Sequence, residues 1–320
     1  MSTLARARVL ITGARGFVGP HLLARLAAAG AEASGMGPEP DAGGLTLRGW
    51  FVADLREPES LAAALAAARP THVVHLAAQS SAAASFADAT GTFEVNTLGT
   101  WRLLEAVQAV AASARVLVVG TGEIYGPQLP GSRTTEDAPF RPVSPYALSK
   151  AAADAAAEVA VRALGLDVVR VRAFGHVGPG QTTRFFLPAF AEQVAAIESG
   201  RSEPVMQVGN LDVVRDLTDV RDVAAAYVAL LERGERGGAY NVCRGEGVRL
   251  ADVTAGLVAR ARVPLRVEVD PARLRPADVP YLVGDPGRIA AATGWSAVIP
   301  LADTVTEVLA EWRARAGITG

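Results

Sequence analysis

The chain contains one cysteine, Cys243, in 320 residues, and this scarcity excludes two kinds of site. A single thiol forms no internal disulfide and builds no zinc site from cysteine ligands. We expect Cys243 to be a small apolar core residue, because free cysteine is among the most deeply buried residue types. We also predict that the protein holds no metal.

The sequence also lacks an excess of charge of one sign and any long apolar run. Its 31 Lys and Arg against 33 Asp and Glu give a formal net charge of -2, so we expect no broad basic surface for nucleic acid or anionic lipid. No apolar run approaches the roughly 20 residues that span a bilayer. Arg6 and Arg8 lead straight into a short apolar strand rather than into a signal-like segment. We therefore predict a cytoplasmic enzyme without a nucleic-acid or membrane partner.

The first half of the chain alternates between strand and helix patterns. Short β-branched runs predict strands at 9–11, 31–36, 49–53, 71–76, 115–119 and 167–172. Helical patterns lie between them at 20–29, 58–68, 93–110 and 145–164. This alternation predicts an α/β fold, a Rossmann-type doubly wound parallel sheet with helices on both faces.

After residue 174 the elements become shorter and richer in Pro and Gly. Helices are predicted at 187–198, 220–232, 250–261 and 300–316, and strands at 215–218, 239–242 and 265–269. We expect residues 1–174 plus about 219–244 to form a dinucleotide-binding domain, with the strand at 239–242 returning to its sheet. Residues 175–218 plus about 245–320 are expected to form a smaller C-terminal α/β lobe that binds substrate.

A glycine-rich turn lies between the first predicted strand and helix. In the segment Thr12-Gly-Ala-Arg-Gly-Phe-Val-Gly19, the glycines permit a tight turn, and the helix N-terminus supplies free N–H groups to a pyrophosphate. The predicted cofactor contacts here are Gly13, Arg15, Gly16, Phe17, Val18 and Gly19. Arg15 is either a phosphate ligand or a solvated loop residue. Between Ser34 and Pro40 we find neither a ribose-binding acid nor paired arginines, so NAD and NADP both stay open.

Tyr146 and Lys150 are spaced to share one face of a predicted helix. An ammonium beside a phenol favours the phenolate, so we expect Lys150 to lower the pKa of Tyr146. Such a tyrosine exchanges a proton with a carbinol or ketone oxygen near neutral pH. Thr121 and Glu123 follow the fifth predicted strand at the carboxyl edge of the sheet, where ligands of open α/β folds bind. The four residues are the predicted catalytic set.

The Gly-x-x-Gly-x-x-Gly spacing together with Tyr146-x-x-x-Lys150 resembles the extended branch of the short-chain dehydrogenase/reductase superfamily. The resemblance implies that Tyr146 is the proton donor or acceptor at a sugar oxygen, that Thr121 hydrogen-bonds the same oxygen, and that Lys150 holds the nicotinamide ribose. It further implies that Asp54 binds the adenine amino group and that residues after the fourth strand follow the cofactor. The additional cofactor residues implied in this way are Asp54, Leu55, Leu76, Ala77, Ala78, Gln79 and Asn96.

Three later segments, at 174–181, 208–222 and 273–280, resemble the members of this branch that act on GDP-linked sugars. The resemblance implies a GDP-linked deoxysugar substrate, with arginines on its diphosphate, because guanidinium groups bind such oxygens bidentately. The implied substrate residues are Ser80, Gly175, His176, Asn210, Arg215, Arg275 and Asp278. Gly175 stands where most of that family has asparagine.

Over its whole length the chain resembles the GDP-4-keto-6-deoxy-D-mannose reductases. This implies NAD(P)H-dependent reduction of a C4 ketone to GDP-D-rhamnose. The alternatives are a GDP-mannose 4,6-dehydratase with Glu123 as the base at C5, another nucleotide-sugar epimerase or dehydratase, and a cofactor-sensing binding protein. Gly122 departs from the Asp-Glu pair of the dTDP-glucose dehydratases. The resemblance also implies a homodimer through the helices around 97–110 and 146–164, where Ala151, Ala155 and Ala156 would permit close helix approach.

Overall fold

The computed structural model describes residues 2–274 and 279–318. Within these residues, seven parallel strands form the main sheet, and six further strands lie outside it. In chain order the strands are β1 (Arg8–Thr12), β2 (Glu32–Gly37), β3 (Trp50–Val52), β4 (His72–His75), β5 (Arg115–Thr121), β6 (Asp167–Ala173), β7 (Gly175–Val177), β8 (Val205–Val208), β9 (Val214–Asp219), β10 (Ala239–Val242), β11 (Gly247–Arg249), β12 (Arg266–Val269) and β13 (Tyr281–Leu282).

The helices connect these strands and cover the main sheet. They are α1 (Val18–Ala28), α2 (Pro58–Ala68), α3 (Ala82–Ala87), α4 (Ala89–Phe93), α5 (Gly99–Val110), α6 (Pro145–Ala163), α7 (Phe186–Glu198), α8 (Val220–Arg233), α9 (Leu250–Val258), α10 (Gly287–Thr293) and α11 (Leu301–Arg315). A π-helical turn spans Glu94–Leu98, and 3₁₀ turns span Gly122–Tyr125 and Pro271–Arg273. Among helices of the described ranges, none is long and apolar enough to cross a membrane.

The main sheet has the strand order β10-β6-β5-β4-β1-β2-β3, and all of its pairings are parallel. The order reverses between β1 and β4, and the crevice outside the carboxyl ends of these strands is where such sheets bind ligands. The predicted Rossmann-type fold is therefore confirmed. The predicted return of the strand at 239–242 to this sheet is also confirmed, since β10 pairs with β6.

The predicted single helix over 93–110 is wrong in its first turns. Residues Glu94–Leu98 adopt a π-helical turn before α5 begins at Gly99. The wider turn places Asn96 in a fully buried position, where its side chain donates to the carbonyl of Gln79 and to Ser149. Single π-helical turns of this kind are frequent near functional sites, because they re-aim one side chain within a regular helix.

The strands outside the main sheet form two small sheets. β9 is flanked by β11, which is antiparallel to it, and by β7 and β13, which pair with it in parallel. β8 and β12 form a separate parallel pair. These strands pack with α7, α9 and α11 around their own core, which includes Leu187, Leu257 and Val308.

Part of the C-terminal chain packs on the main sheet rather than with these small sheets. Ile289 of α10 and Trp295 belong to the core cluster that α1 and α8 form beneath the main sheet. Trp295 donates its indole N–H to the carbonyl of Asp222, and the Asp222 carboxylate accepts from the N–H groups of Val298 and Ile299. Residues 287–299, which the sequence interpretation places in the substrate lobe, thus make their core contacts with α1 and α8.

Candidate active site

A cavity of about 640 Å³ opens at the carboxyl edge of the main sheet, between that sheet and the strands around β9. Sixteen of the residues predicted as functional line this one cavity. They are Gly13, Gly16, Phe17, Val18, Leu76, Ala77, Ala78, Ser80, Thr121, Glu123, Tyr146, Lys150, Gly175, His176, Asn210 and Arg215. The topology brings them together because β1, β4 and β5 all end at this edge.

The glycine turn fits a pyrophosphate through its lack of side chains. Gly13 has φ +68, and a Cβ on it would lie 2.9 Å from the backbone of Ala77, so the loop after β4 can close onto the turn only if this residue is glycine. A Cβ at Gly19 would lie 1.9 Å from the carbonyl oxygen of Ala14, which makes glycine obligatory in the first turn of α1. The N–H groups of Gly16 and Gly19 donate within the turn, to the carbonyls of Gly13 and Gly16, while the absence of side chains lets an anionic ligand approach the helix start.

Tyr146 and Lys150 lie on the buried face of α6, which Ser144 caps by accepting from the N–H of Ala147. The expected effect of Lys150 on Tyr146 is wrong in this structure. Burial raises the pKa of Tyr146 well above its ordinary value, the Glu123 carboxylate raises it further, and a hydrogen bond with Thr121 only partly opposes them. Lys150 is buried as well, and desolvation lowers its pKa to about 8. Its ammonium donates to the carbonyl of Val119 at 2.6 Å.

Lys150 is the only lysine among the 31 Lys and Arg residues of the chain. Guanidinium groups serve at every other basic position, but an arginine remains charged and planar, whereas a lysine pKa shifts readily on burial. This count is a sequence signal for Lys150 that is independent of its spacing from Tyr146. It indicates that the position requires a compact ammonium group.

Asp154, one turn beyond Lys150, fixes α6 to β6. Its carboxylate accepts two hydrogen bonds from Arg172, at 3.0 and 3.1 Å, and one from Arg170 at 2.9 Å. Asp154 and Arg172 are both almost completely buried, and Arg172 also donates to Tyr125 and to the carbonyl of Glu136. The carboxylate of Asp154 partly offsets the burial that lowers the pKa of Lys150. One side chain thus anchors the catalytic helix and supports its ammonium group.

The sequence interpretation missed Asp41, an acidic residue that directly follows the segment Ser34 to Pro40 in which a ribose-binding acid was expected. The Arg15 guanidinium forms an ion pair with Asp41 and lies 4.8 Å from the centre of the Trp50 ring. The N–H of Gly43 and the side chain of Arg15 lower the pKa of Asp41. Arg15 and Asp41 therefore place one cation and one anion between the glycine turn and the end of β2, where Rossmann folds bind the adenosine ribose.

Several predicted cofactor residues lie outside the cavity wall and have other partners. The Asp54 carboxylate is bound by the guanidinium of Arg56, and Leu55 packs against Gly99 in the core. The Gln79 side chain donates to Ser81 and Thr92. Asn96 was predicted to bind cofactor, but its amide oxygen accepts from the N–H of Gln79 and its other bonds are internal, so it braces the loop after β4.

The predicted substrate residues meet the cofactor side at His176. Its ring stacks on Phe17 of the glycine turn, with ring centres 5.9 Å apart and an angle of 6° between planes. Burial lowers the pKa of His176, so its ring is neutral near pH 7. Arg215 donates to the carbonyl of Val279 at 2.6 Å. Arg275 and Asp278, the other two predicted ligands of the substrate, lie outside the described residues.

Gly175 of the cavity wall and Gly122, which lies between the cavity residues Thr121 and Glu123, have no room for the side chains that related patterns carry. A Cβ on Gly175 would lie 2.8 Å from the carbonyl oxygen of Asp216, because β7 packs tightly on β9. A Cβ on Gly122 would lie 2.9 Å from three atoms of the Phe174 ring. The chain therefore excludes both an asparagine at 175 and an aspartate at 122 without rearrangement of these neighbours.

The structure adds residues to the cavity wall that the sequence interpretation did not single out. They come mostly from the loop before α7, from α7 and from α8, and they include Gln181, Arg184, Phe185, Phe186, Phe190 and Tyr227. The aromatic members follow no spacing that distinguishes them from core residues, so only the fold identifies them. Within the described residues, no group of three or more His, Cys, Asp or Glu side chains is arranged to hold a metal ion.

The chain is similar to known proteins over nearly its full length. A family model described as GDP-mannose 4,6 dehydratase matches residues 10–308. GDP-6-deoxy-D-mannose reductase from Pseudomonas aeruginosa is 35% identical over 309 residues, which cover 96% of this chain and 98% of that protein.

Solved structures show the same relationship. RMD from Pseudomonas aeruginosa, complexed with NADPH, superposes with a TM-score of 0.85 at 34% identity and covers 97% of this chain and 99% of that one. UDP-glucose 4-epimerase from Thermus thermophilus, in complex with NAD, also has a TM-score of 0.85 at 34% identity, with 96% and 99% covered. The similarity therefore includes both the main sheet and the strands around β9.

Proposed function

The chain belongs to the GDP-mannose 4,6-dehydratase family, and we propose that it is the reductase of this family that converts GDP-4-keto-6-deoxy-D-mannose to GDP-D-rhamnose with NADPH or NADH. The observation that carries the proposal is the convergence of Thr121, Tyr146 and Lys150 in one cavity with the glycine turn. The similarity to a GDP-6-deoxy-D-mannose reductase over 96% of the chain supports the substrate class.

The nicotinamide cofactor, when bound, supplies the hydride to C4 of the keto sugar. Tyr146 donates its phenolic proton to O4, so the ketone becomes an alcohol as the carbon is reduced. Tyr146 carries its proton at neutral pH, so the phenol is available as the acid in this direction. Thr121 hydrogen-bonds Tyr146 and would hold the same substrate oxygen.

Lys150 contributes a positive charge beside the reacting groups. With a pKa of about 8, its side chain is mainly an ammonium at pH 7. The bond to Val119 fixes its position at the end of β5, from which it would hold the nicotinamide ribose. Arg215, on the opposite wall, would bind the diphosphate of the sugar nucleotide, because a guanidinium offers paired donors to phosphate oxygens.

A 4,6-dehydratase is the second candidate, and Glu123 is the observation that favours it. Its carboxylate lines the cavity and acts on the pKa of Tyr146, so it is close to the reacting groups. There it could remove a proton from C5 of a 4-keto intermediate. Gly122 argues only against the dTDP-glucose dehydratases, since Phe174 fills the space that their adjacent aspartate would need.

We further propose a homodimer through the outer faces of α5 and α6. Leu98, at the start of α5, and Leu148 and Val159, on α6, are apolar side chains that are nearly half exposed. Ala155 and Ala156 lie on or near the same outer face, whereas Ala151 is buried within its own chain and takes no part. The two-domain division and a cytoplasmic location stay predictions from the sequence.

One assay separates the two reactions. Purified protein is given GDP-mannose alone, and separately GDP-4-keto-6-deoxymannose with NADPH or NADH. The reductase oxidises the reduced cofactor only with the keto sugar and leaves GDP-mannose unchanged. Turnover of GDP-mannose without added reductant would refute the reductase assignment and support the dehydratase. In either case, Tyr146→Phe should abolish turnover while the dissociation constant of the cofactor stays within about twofold of wild type.

A further inference from the structure

Tyr227 is both a core residue and part of the wall of the active-site cavity. It lies in the middle of α8, and its side chain is fully buried. Its ring packs in the core cluster beneath the main sheet together with Ala14 of the glycine turn and Ala173 at the end of β6. The residue therefore lies under the point where the glycine turn and the catalytic strands meet.

The hydroxyl of Tyr227 has no hydrogen-bond partner in the part of the chain that the structure describes. The other buried tyrosines differ. Tyr125 donates to Asn241 and accepts from Arg172, Tyr240 accepts from the N–H of Glu235 at 2.9 Å, and Tyr146 bonds Thr121. A buried, unpaired hydroxyl costs about 1–3 kcal/mol of stability, and a phenylalanine would fill the same space without that cost. The hydroxyl thus has no structural use in the protein alone.

The location of Tyr227 indicates which ligand would satisfy this hydroxyl. Tyr146 lines the same cavity and acts on Tyr227 electrostatically, raising its pKa further above the level set by burial. α8 packs against α1, so Tyr227 approaches from the side of the glycine turn, whereas Tyr146 approaches from α6. A nicotinamide cofactor held at the glycine turn and reaching Tyr146 would occupy the cavity that both tyrosines line.

We propose that Tyr227 is a cofactor-binding residue whose hydroxyl hydrogen-bonds the carboxamide of the nicotinamide ring. In the proposed function the glycine turn would hold the phosphates and Lys150 would hold the nicotinamide ribose. The carboxamide is the remaining polar group at the reacting end of the cofactor. This inference rests on the nicotinamide dependence in the proposed function and adds a residue to its cofactor site.

The test compares Tyr227→Phe with Tyr240→Phe, a buried tyrosine of β10 whose hydroxyl has a protein partner and lies outside the cavity. Urea unfolding of the cofactor-free proteins should show Tyr227→Phe equal to or more stable than wild type, and Tyr240→Phe less stable. In calorimetric titration with NADPH, the affinity should fall in Tyr227→Phe and stay unchanged in Tyr240→Phe. Tyr227→Phe should bind it about fivefold more weakly, the equivalent of one hydrogen bond, and Tyr240→Phe should bind it like wild type.

Two further probes identify the group that is bound. ADP-ribose lacks the nicotinamide, so its affinity should be equal for wild type and Tyr227→Phe, and so should that of GDP. Loss of ADP-ribose or GDP affinity in Tyr227→Phe, or unchanged NADPH affinity together with lower stability, would overturn the proposal. If wild type itself does not bind NADPH or NADH, the proposed function fails as well. If wild type binds and Tyr227→Phe binds equally, only the inference about Tyr227 fails.

Discussion

Replacement of Lys150 by methionine is expected to stabilise the protein at pH 7 while it abolishes turnover. The Lys150 side chain is only 4% exposed, and burial lowers its pKa from 10.5 to about 8. Each pKa unit corresponds to about 1.4 kcal/mol, so holding this ammonium in the folded state costs about 3 kcal/mol below pH 8. Methionine fills a similar volume but leaves the carbonyl of Val119 without its donor, at a cost of about 1–2 kcal/mol. The net gain expected at pH 7 is about 1–2 kcal/mol.

The stability difference between wild type and Lys150→Met is expected to depend on pH, because Lys150 has a lower pKa in the folded than in the unfolded state. Below pH 8 both the folded and the unfolded state of wild type carry the proton on Lys150, and the full penalty is present. Between pH 8 and 10.5 the unfolded state binds more protons than the folded state, so the stability of wild type rises with pH. From pH 7 to pH 9.5 this rise amounts to about 2 kcal/mol, and Lys150→Met lacks it. The advantage of the variant should therefore shrink to about zero at pH 9.5.

The assay is urea unfolding of the cofactor-free proteins at pH 7 and pH 9.5, at one protein concentration. Other titrating groups are the same in both proteins, so the difference between the variants isolates Lys150. Lys150→Arg is the matched control, since arginine keeps its charge at both values of pH and should be less stable than wild type at each. A Lys150→Met variant that is less stable at pH 7, by an amount that does not change at pH 9.5, would refute the reasoning.

Three other variants test separate features of the site. Asp41→Asn removes the anion that pairs with Arg15, so the ratio of kcat/KM for NADPH to that for NADH should rise about tenfold. An unchanged ratio would show that Arg15 and Asp41 do not discriminate between the 2′-phosphate of NADPH and the 2′-hydroxyl of NADH. Gly122→Ala should lower the free energy of unfolding by about 1–3 kcal/mol in urea, because its Cβ meets the Phe174 ring at 2.9 Å, and wild-type stability would contradict the packing. Asp154→Asn leaves the buried Arg172 without its anion, although Arg170 keeps Glu158, so urea unfolding should show a loss of about 3–5 kcal/mol, whereas a loss below about 1 kcal/mol would mean that the network is solvated.

The sequence predicted the fold well because the main sheet depends on local patterns. Short β-branched runs and amphipathic helices alternate, and each strand of the main sheet was recognised within about two residues of its observed bounds. The short elements α3, α4, α10, β7, β8, β11 and β13 were not predicted. The glycine turn and the Tyr146–Lys150 spacing were sufficient to find the cavity, since the carboxyl ends of neighbouring strands meet at one edge. The π-helical turn at Glu94–Leu98 was missed, because its cause is the burial of Asn96 against Gln79 and Ser149, which are distant in sequence.

The electrostatics of the site were predicted less well. Spacing places Lys150 near Tyr146, but it does not reveal that both side chains are almost completely buried, and burial determines the direction in which the pKa of Tyr146 moves. Asp41 was missed because the loop after β2 returns to Arg15 only in three dimensions. In the sequence, Tyr227 cannot be distinguished from the apolar core positions of α8. Only the structure shows that its buried hydroxyl lacks a partner among the described residues.

The presence of one lysine in the chain gives this protein a built-in spectroscopic reporter. Lysine labelled with ¹³C at Cε alone, or with ¹⁵N at Nζ alone, would produce a single side-chain resonance, and that resonance belongs to Lys150 without any assignment experiment. Its chemical shift, followed through a titration, reads the protonation of the group directly, with a midpoint near pH 8 in the cofactor-free protein. The same signal, recorded as cofactor and sugar nucleotide are added in turn, would follow the charge of the active site through each step of ligand binding.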